Sequence, residues 1–349
     1  MTAEKQVPIT LVTGMSDSIK SSLIQNMKLQ NKSKVILFRD RTVENREIFE
    51  EEFIQDNILT EVVHDIEIFT EKDLLSILME RTNKKMDSII IDLERFSNIK
   101  LHFPHYFKLE DDDPVNVAHV HVVDAVTFWF QYSSTKYVAS SDGRETYESS
   151  IGELLIAPLE MADTIVIGNN DKINQERLAE LQWFLNKLNP LATIVTLNDF
   201  KRDSKLFEEK NMRKWRNPHE LYTFQLQLFE QKKTLMLVSD YGIDTYIYRS
   251  PFPVSMEGLE EFFKQLPDGI LRTKAVCYSP SEKQTYYFSQ IGSSIEVFSE
   301  EETYVEQIPS KTLSEFLFIG DHLDPLTIQN ELDNSLLKYE TPSVRKMSK

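Results

Sequence analysis

The chain has 349 residues, enough for two domains, and its 41% hydrophobic and 27% charged content is ordinary for a globular protein. Its formal net charge of −17 at pH 7 predicts that it binds neither nucleic acid nor anionic membranes, since both attract basic surfaces. A single cysteine, Cys277, excludes an internal disulfide framework and a multi-cysteine zinc site. No apolar run approaches the roughly 18 residues of a membrane helix, and residues 1–8 lack the apolar stretch of a secretory signal, so we expect a cytoplasmic protein.

The first 200 residues alternate strand-like and helix-like segments. The predicted strands, which are short and rich in β-branched residues, cover 9–12, 34–38, 88–92, 118–123 and 164–167. The predicted helices cover 20–29, 71–81, 148–161 and 175–188. This alternation predicts an α/β domain with a doubly wound parallel sheet. Its ligand crevice should lie where the strands end, at Gly14, Asp40, Asp92 and Asp171.

The first predicted strand runs into a segment with the spacing of a phosphate-binding loop. Gly14 is followed by four residues, a position that should hold glycine, and then Lys20 and Ser21, as in G-x-x-x-x-G-K-[ST]. The glycine position holds Ile19, whose β-branched side chain disfavours the positive φ that such a cradle usually needs. Asp17 adds a carboxylate inside the loop, where it would repel a phosphate unless it points to solvent. The segment therefore has the order of a nucleotide-binding loop and two residues that oppose phosphate binding.

The predicted strand over 88–92 ends in Asp92, a candidate for association with Mg²⁺. The plainer interpretation is a carboxylate at the end of a buried parallel strand. A nucleotide hydrolase of this type normally carries a glycine just after this strand, so that a backbone N–H can approach the γ-phosphate. Here residues 93–95 are LER, and no glycine occurs between Gly14 and Gly143.

Residues 201–217 are charged and lack a strand pattern, and we interpret them as a linker. A second unit over 218–338 contains predicted strands at 245–249, 271–278, 284–289, 294–298 and 316–319, and predicted helices at 256–265 and 325–337. Strands with helices on one face predict a smaller α+β domain. Residues 339–349 form a tail that we expect to be disordered.

With these segments in order, the chain resembles the CobW family of P-loop GTPases, which includes bacterial zinc-responsive metallochaperones. The resemblance spans roughly residues 7–338 and is strongest outside the catalytic motifs. The segments that carry it are HVHVVDAVTFWFQY (119–132), LEMADTIVIGNNDKI (159–173), LNPLATI (188–194), residues 242–276 and FLFIGDHLDP (316–325). It implies a degenerate P-loop G domain over 1–200, followed by a CobW C-terminal α+β domain over 218–338.

By resemblance, the ligands of the phosphate loop are GTP and Mg²⁺. The nucleotide-binding residues would be Gly14, Ser18, Lys20, Ser21, Ser22 and Asp171, with Ser21 and Asp92 associated with Mg²⁺. The family's loop is G-x-x-G-[AS]-G-K-[ST]-[ST], so two of its three glycines are missing here. The family's base-reading N-K-x-D stands as GNND at 168–171, without the Asn that braces the loop and the Lys that packs on the base.

The family's metal motif, G-C-x-C-C, is missing as well. The matching stretch, residues 64–68, reads HDIEI and has no thiolate, which speaks against zinc as a cofactor. The remaining metal-ligand candidates are His64, Asp65 and Glu67, whose alternating faces on a strand suit a tetrahedral zinc site poorly. His119 and His121, which share one face of a predicted buried strand, are interpreted as structural.

Three functions stay open at this point, and none has a predicted catalytic residue. The favoured one is a CobW-like protein of metal homeostasis, with zinc the expected metal, whose GTP site has decayed. It would act as a pseudo-GTPase through contacts with a protein partner, either a metalloprotein client or a regulator. The alternative is a GTP-binding metallochaperone with residual GTPase activity, and the third is a loop that binds another nucleotide such as ATP. Loss at four separate motifs favours the first.

Overall fold

The computed structural model describes residues 9–30, 34–38, 61–63, 89–93, 117–141, 146–202, 242–279, 282, 284–300 and 313–337. The chain divides into two compact units, Met1–Leu235 and Met236–Lys349. The predicted linker at 201–217 overlaps the described residues only at 201 and 202, where a helix ends. The predicted helix at 71–81, Asp40 and the tail at 339–349 lie outside the described residues, so these predictions stay predictions.

The N-terminal unit is built on a parallel sheet. Its strands are β1 (Ile9–Gly14), β2 (Lys34–Phe38), β3 (Glu61–Val63), β4 (Ile89–Leu93), β5 (Val117–Asp124), β8 (Thr164–Gly168) and β9 (Thr193–Thr196). They lie in the order β3-β2-β4-β1-β5-β8-β9, so β2, β3 and β4 lie on one side of β1 and β5, β8 and β9 on the other. The predicted doubly wound α/β fold is confirmed, and β1 lies in the middle of the sheet between β4 and β5.

The strand run at 137–150 differs from the prediction. A helix was expected from residue 148, but β6 (Tyr137–Ser141) and β7 (Thr146–Ser150) pair as an antiparallel ribbon. The helix begins only at Ile151, because Ser150 has extended backbone angles and its hydroxyl accepts the N–H of Glu153 as an N-cap. Residues 146–150 are mostly polar and follow no helical pattern. The helix was predicted from the apolar stretch that follows them, and its start was placed too early.

The described helices of this unit are α1 (Asp17–Gln30), α2 (Phe128–Tyr132), α3 (Ile151–Met161), α4 (Gln175–Leu188) and α5 (Leu197–Arg202). The bounds predicted for α4 are confirmed, and Asn174 caps its start. Helix α1 buries Ile19, Leu23, Ile24 and Met27, which form one stripe at helical spacing, against Val12 and Val120 of the sheet. This packing fixes the first turn of α1 directly beyond the end of β1.

The C-terminal unit contains β10 (Ile243–Ser250), β11 (Ile270–Ser279), β12 (Gln284–Ile291), β13 (Ser294–Glu300) and β14 (Ser314–Asp321), with α6 (Met256–Lys264) and α7 (Pro325–Ser335). The strands form an antiparallel sheet in the order β10-β14-β11-β12-β13. Both helices contribute to one core, since Phe262 and Leu332 pack with Phe316 and Phe318 of the central strand. The predicted α+β architecture is confirmed. Cys277 is buried in this core, and burial raises the pKa of its thiol.

Candidate functional site

The segment with phosphate-loop spacing forms a tight turn and a helix. Strand β1 ends at Gly14, whose φ of 136° lies in a region that glycine favours, and a Cβ there would come within 2.5 Å of the Val122 carbonyl oxygen. Only Met15 and Ser16 separate this strand from α1, which begins at Asp17, one turn before the predicted start at residue 20. The backbone N–H of Lys20 donates to the Ser16 carbonyl at 3.0 Å, so the turn before the lysine is already helical.

These backbone angles do not fit a phosphate cradle. A cradle of inward-pointing N–H groups needs alternating right- and left-handed residues, yet none of residues 15–19 has a positive φ. The N–H of Lys20 is used within the helix and is not presented to a ligand. The residues present therefore do not fit a bound triphosphate in the manner that the spacing predicted.

The Lys20 side chain is buried, with 2% of its surface exposed. Its ammonium nitrogen donates to Asp92 Oδ1 at 2.9 Å and to the Leu93 carbonyl oxygen at 2.7 Å, both at the end of β4. It also lies 3.4 Å from Asp17 Oδ1, one turn back on the helix. Two carboxylates and a carbonyl therefore surround the Lys20 ammonium group, with which a phosphate would have to pair.

Ile19 points away from this charge cluster and into the core. Only 4% of its surface is exposed, and it packs with Val166 of β8 and Phe200 of α5. Its closest neighbour is Gly168, the last residue of β8: a Cβ at Gly168 would lie 2.6 Å from Ile19 Cδ1 and Cγ2 and 2.9 Å from Cγ1. Gly168 occupies the first position of the GNND segment, so the phosphate-loop segment and the base-reading segment touch at this pair.

The rest of the GNND segment forms a turn at the carboxyl end of β8. Asn169 has a left-handed backbone, φ 53°, and its side-chain amide donates to Asp124 Oδ2 at 3.0 Å. Asp171 lies in the short 3-10 turn Asn170–Lys172 and is exposed. Asn169 thus ties the ends of β8 and β5 together, while Asp171 faces solvent.

The predicted hydroxyl ligands are placed unevenly. Ser18 is exposed, with its Oγ 3.4 Å from Ser16 Oγ, whereas Ser21 and Ser22 are half-buried along α1. The Ser22 carbonyl accepts the side-chain amide of Asn26 at 2.6 Å. Of the predicted site residues, the structure thus brings together Lys20 and Asp92 beside the end of β1, and it adds Asp17 to them.

A buried polar triad lies on the opposite face of the sheet from Val12. Thr13 Oγ1 is 2.8 Å from His119 Nε2 and 2.8 Å from His121 Nδ1. Burial lowers the pKa of His119 to about 4, with the Met161 carbonyl acting against it. Burial, His119 and Lys20 together hold the pKa of His121 well below 6.5. Both imidazoles are therefore neutral at pH 7, in agreement with a structural role.

No group of three or more metal-ligating side chains occurs in the part of the chain that the structure describes. The candidates His64, Asp65 and Glu67 lie outside that part, so the prediction about them stays a prediction. Within the same described ranges, no helix is long and apolar enough to cross a bilayer.

Sequence reasoning missed two features of the site. The first is the pairing of Asp17 with Lys20, for which the i, i+3 spacing was an available signal. The second is the contact between Ile19 and Gly168, which are 149 positions apart along the chain. Ile19 and Gly168 each depart from the family pattern, but only the fold shows that these two residues touch.

Comparison with known proteins gives a family match in the C-terminal unit. Residues 243–336 match the family model described as the cobalamin synthesis protein cobW C-terminal domain. The zinc-regulated GTPase metalloprotein activator 1 of Dictyostelium discoideum is 25% identical over 174 residues, which cover 46% of this chain and 35% of that protein. The match thus spans about a third of that relative's length.

The solved structures similar to the chain include the following two. The Zn(II)-bound YjiA GTPase from E. coli is 14% identical, with a TM-score of 0.40, and the match covers 95% of this chain and 99% of that one. HypB from Helicobacter pylori, in complex with nickel, is 13% identical, with a TM-score of 0.35, and the match covers 66% of this chain and 88% of that one.

Proposed function

We propose that the chain, whose residues 243–336 match the cobW C-terminal domain, is a pseudo-GTPase of the CobW family that acts in metal homeostasis. In this proposal the N-terminal unit keeps the P-loop-like sheet as a scaffold and does not turn over GTP. The protein acts in the cytoplasm by contacting a protein partner, either a metalloprotein client or a regulator of one.

The observation that carries the proposal is the environment of Lys20. In a working phosphate loop the lysine is the main point charge on the β- and γ-phosphates. Here its ammonium group is buried against Asp92, the Leu93 carbonyl and Asp17. A phosphate that approached it would have to displace these partners and lie near two carboxylates, which opposes binding.

The metal part of the proposal is supported by the C-terminal domain and by the printed name of the Dictyostelium relative, a zinc-regulated activator of metalloproteins. Zinc is therefore the first metal to test, although residues 64–68 lack the family's thiolates. A protein contact is supported by Val126, in the turn between β5 and α2, and by Phe130 on α2, which are 51% and 81% exposed. Exposed apolar side chains can meet another protein surface.

A thermal-shift titration tests the proposal. The protein is heated with Mg·GTP, Mg·GDP and Mg·ATP at millimolar concentration, each with and without Zn²⁺. A ligand at about 100 times its Kd adds roughly 2.7 kcal/mol to the free energy of unfolding, which is an easily measured shift. We expect no shift with any nucleotide.

The other two functions appear as different outcomes of the same titration. A shift specific to guanine nucleotides would contradict the pseudo-GTPase proposal and favour a GTP-binding metallochaperone with residual GTPase activity. A shift with ATP alone would favour the third function, a loop that binds ATP instead of GTP. In either case Lys20→Ala should abolish the shift, since the lysine would then be the phosphate ligand.

A further inference from the structure

The two loops that would hold a nucleotide touch at Ile19 and Gly168. Ile19 is in the phosphate-loop segment, at a position where a phosphate loop has glycine. Gly168 is the first residue of the base-reading segment, where the resemblance implies asparagine. Compared with the pattern that the resemblance implies, the residue on one side of the contact is larger and the residue on the other side is smaller.

The geometry of the contact leaves no room for a side chain at position 168. Three carbons of Ile19 lie 2.6, 2.6 and 2.9 Å from where a Cβ of residue 168 would be. Two of these, Cγ1 and Cγ2, are attached directly to the Ile19 Cβ, and a β-branched side chain on a helix has one strongly preferred rotamer. Rotation of the side chain therefore cannot relieve the overlap.

The burial of Ile19 shows that this contact belongs to the core. Ile19 shares a cluster with Leu23, Val166 and Phe200, so it connects α1, β8 and α5. Because the apolar side chain faces the core, the first turn of α1 is held in helical geometry, and the helix can begin at Asp17.

We propose that Ile19 and Gly168 have exchanged volume, so that the phosphate-loop segment and the base-reading segment are locked together by an intramolecular contact. The Ile19 side chain fills the junction between the two segments, and the helical first turn that it stabilises places Lys20 against Asp92. This inference rests on the proposed function and adds a structural cause for the loss of nucleotide binding. The departures from the family pattern at Ile19 and at Gly168 are two sides of one change in packing.

A double-mutant cycle tests the exchange directly, with unfolding followed by tryptophan fluorescence in nucleotide-free buffer. Trp129 lies on α2 and Trp183 on α4 of the N-terminal unit, and the third tryptophan, Trp215, precedes the C-terminal unit, which begins at Met236. Ile19→Ala should lower the melting midpoint by roughly 5–15 °C, because it empties a buried isoleucine site. Gly168→Ala should lower it by roughly 2–10 °C, because its Cβ overlaps Ile19. In the Ile19→Ala background, Gly168→Ala should be neutral or should raise the midpoint.

Met27→Ala is the matched control for this cycle. Met27 is buried in the same core stripe but lies two turns further along α1, roughly 12 Å away. Combined with Gly168→Ala, its effect should be additive. If Ile19→Ala and Gly168→Ala are also additive, or if Gly168→Ala is tolerated in the wild-type background, the exchange is overturned.

Two further features keep the test decisive. If Ile19→Ala does not fold, Ile19→Val removes only Cδ1, one of the two closest carbons, and should relieve Gly168→Ala in part. The cycle contains no nucleotide, so it is independent of the thermal-shift titration. A guanine-specific shift would contradict the proposed function, whereas additivity in the cycle would contradict the exchange.

Discussion

Thr13 Oγ1 lies within 2.8 Å of a ring nitrogen of both His119 and His121, and all three side chains are buried. A hydroxyl has one proton to donate, so it donates to one imidazole and accepts from the other. Burial favours the neutral form of both rings. The unfolded chain, in contrast, exposes both histidines to water, where their pKa is close to 6.5.

This difference predicts acid sensitivity of the N-terminal unit. Between pH 6.5 and pH 4 the unfolded state binds protons that the folded state does not, so the free energy of unfolding falls as the pH falls. For His119, whose pKa is lowered from 6.5 to about 4, the loss by pH 4 is about 3 kcal/mol. Urea unfolding followed by tryptophan fluorescence at several pH values measures it.

Replacing His119 and His121 by leucine should flatten this pH dependence between pH 6.5 and pH 4. The control is His322→Gln, which changes a histidine of the C-terminal unit, outside the unit whose unfolding Trp129 and Trp183 report, and should leave the fluorescence-detected profile unchanged. An equally steep profile in the double leucine variant would show that other groups cause the acid sensitivity.

At the scale of elements, the Asn189 side chain joins the ends of three of them. Its amide nitrogen donates to the carbonyls of Leu159 and Ala162, at 3.0 and 2.8 Å, where α3 ends. Its amide oxygen accepts the N–H groups of Leu191 and Ala192 at 3.2 and 3.1 Å, in the turn between α4 and β9. The side chain is buried, so water cannot replace these hydrogen bonds.

Asn189→Ala is therefore expected to destabilise the N-terminal unit by about 2–4 kcal/mol, since it removes four hydrogen bonds at a buried site. Asn174→Ala is the matched control, because that side chain accepts one hydrogen bond at the exposed start of α4 and should cost about 1 kcal/mol. Urea unfolding of both variants gives the comparison. Equal costs for the two would show that the Asn189 hydrogen bonds contribute little.

The sequence predicted those helices and strands whose apolar residues repeat with the period of a helix or a strand and whose ends are marked by residues such as a helix cap. Strand β8 is a continuous β-branched run, and α4 has an amphipathic repeat with a capping Asn174. The β6–β7 ribbon was missed because its two short strands, YVASS and TYESS, contain few apolar residues and these do not alternate with polar ones. The start of α1 was placed too late because the motif spacing was given more weight than Asp17, an acidic residue suited to a first helical turn.

The candidate site could be predicted only in part, for a topological reason. Lys20 and Asp92 were both named from the sequence, but their pairing depends on β1 and β4 being neighbours, with Val12 opposite Asp92. The spacing of residues along the chain does not contain that information. The same holds for Ile19 and Gly168, whose contact needs α1 to pack across β8.

At the scale of the whole molecule, each of the two units has a core of its own. The core around Val12, Leu23 and Val120 belongs to the N-terminal unit. The core around Phe262, Phe316 and Phe318 belongs to the C-terminal unit, which matches a family model by itself over 243–336. A separate core for each unit is the condition under which a unit unfolds as a cooperative domain.

We therefore expect two unfolding transitions in urea, and the distribution of tryptophan allows them to be assigned. Tryptophan fluorescence reports only the N-terminal unit, whereas far-UV circular dichroism reports both. Phe316→Ala removes a fully buried ring from the C-terminal core and should cost about 3–5 kcal/mol there. The circular dichroism curve should then gain an early transition while the fluorescence midpoint stays in place. Leu23→Ala, the control in the other core, should shift the fluorescence midpoint instead, and a common shift of both signals by either variant would mean that the chain unfolds as one cooperative unit.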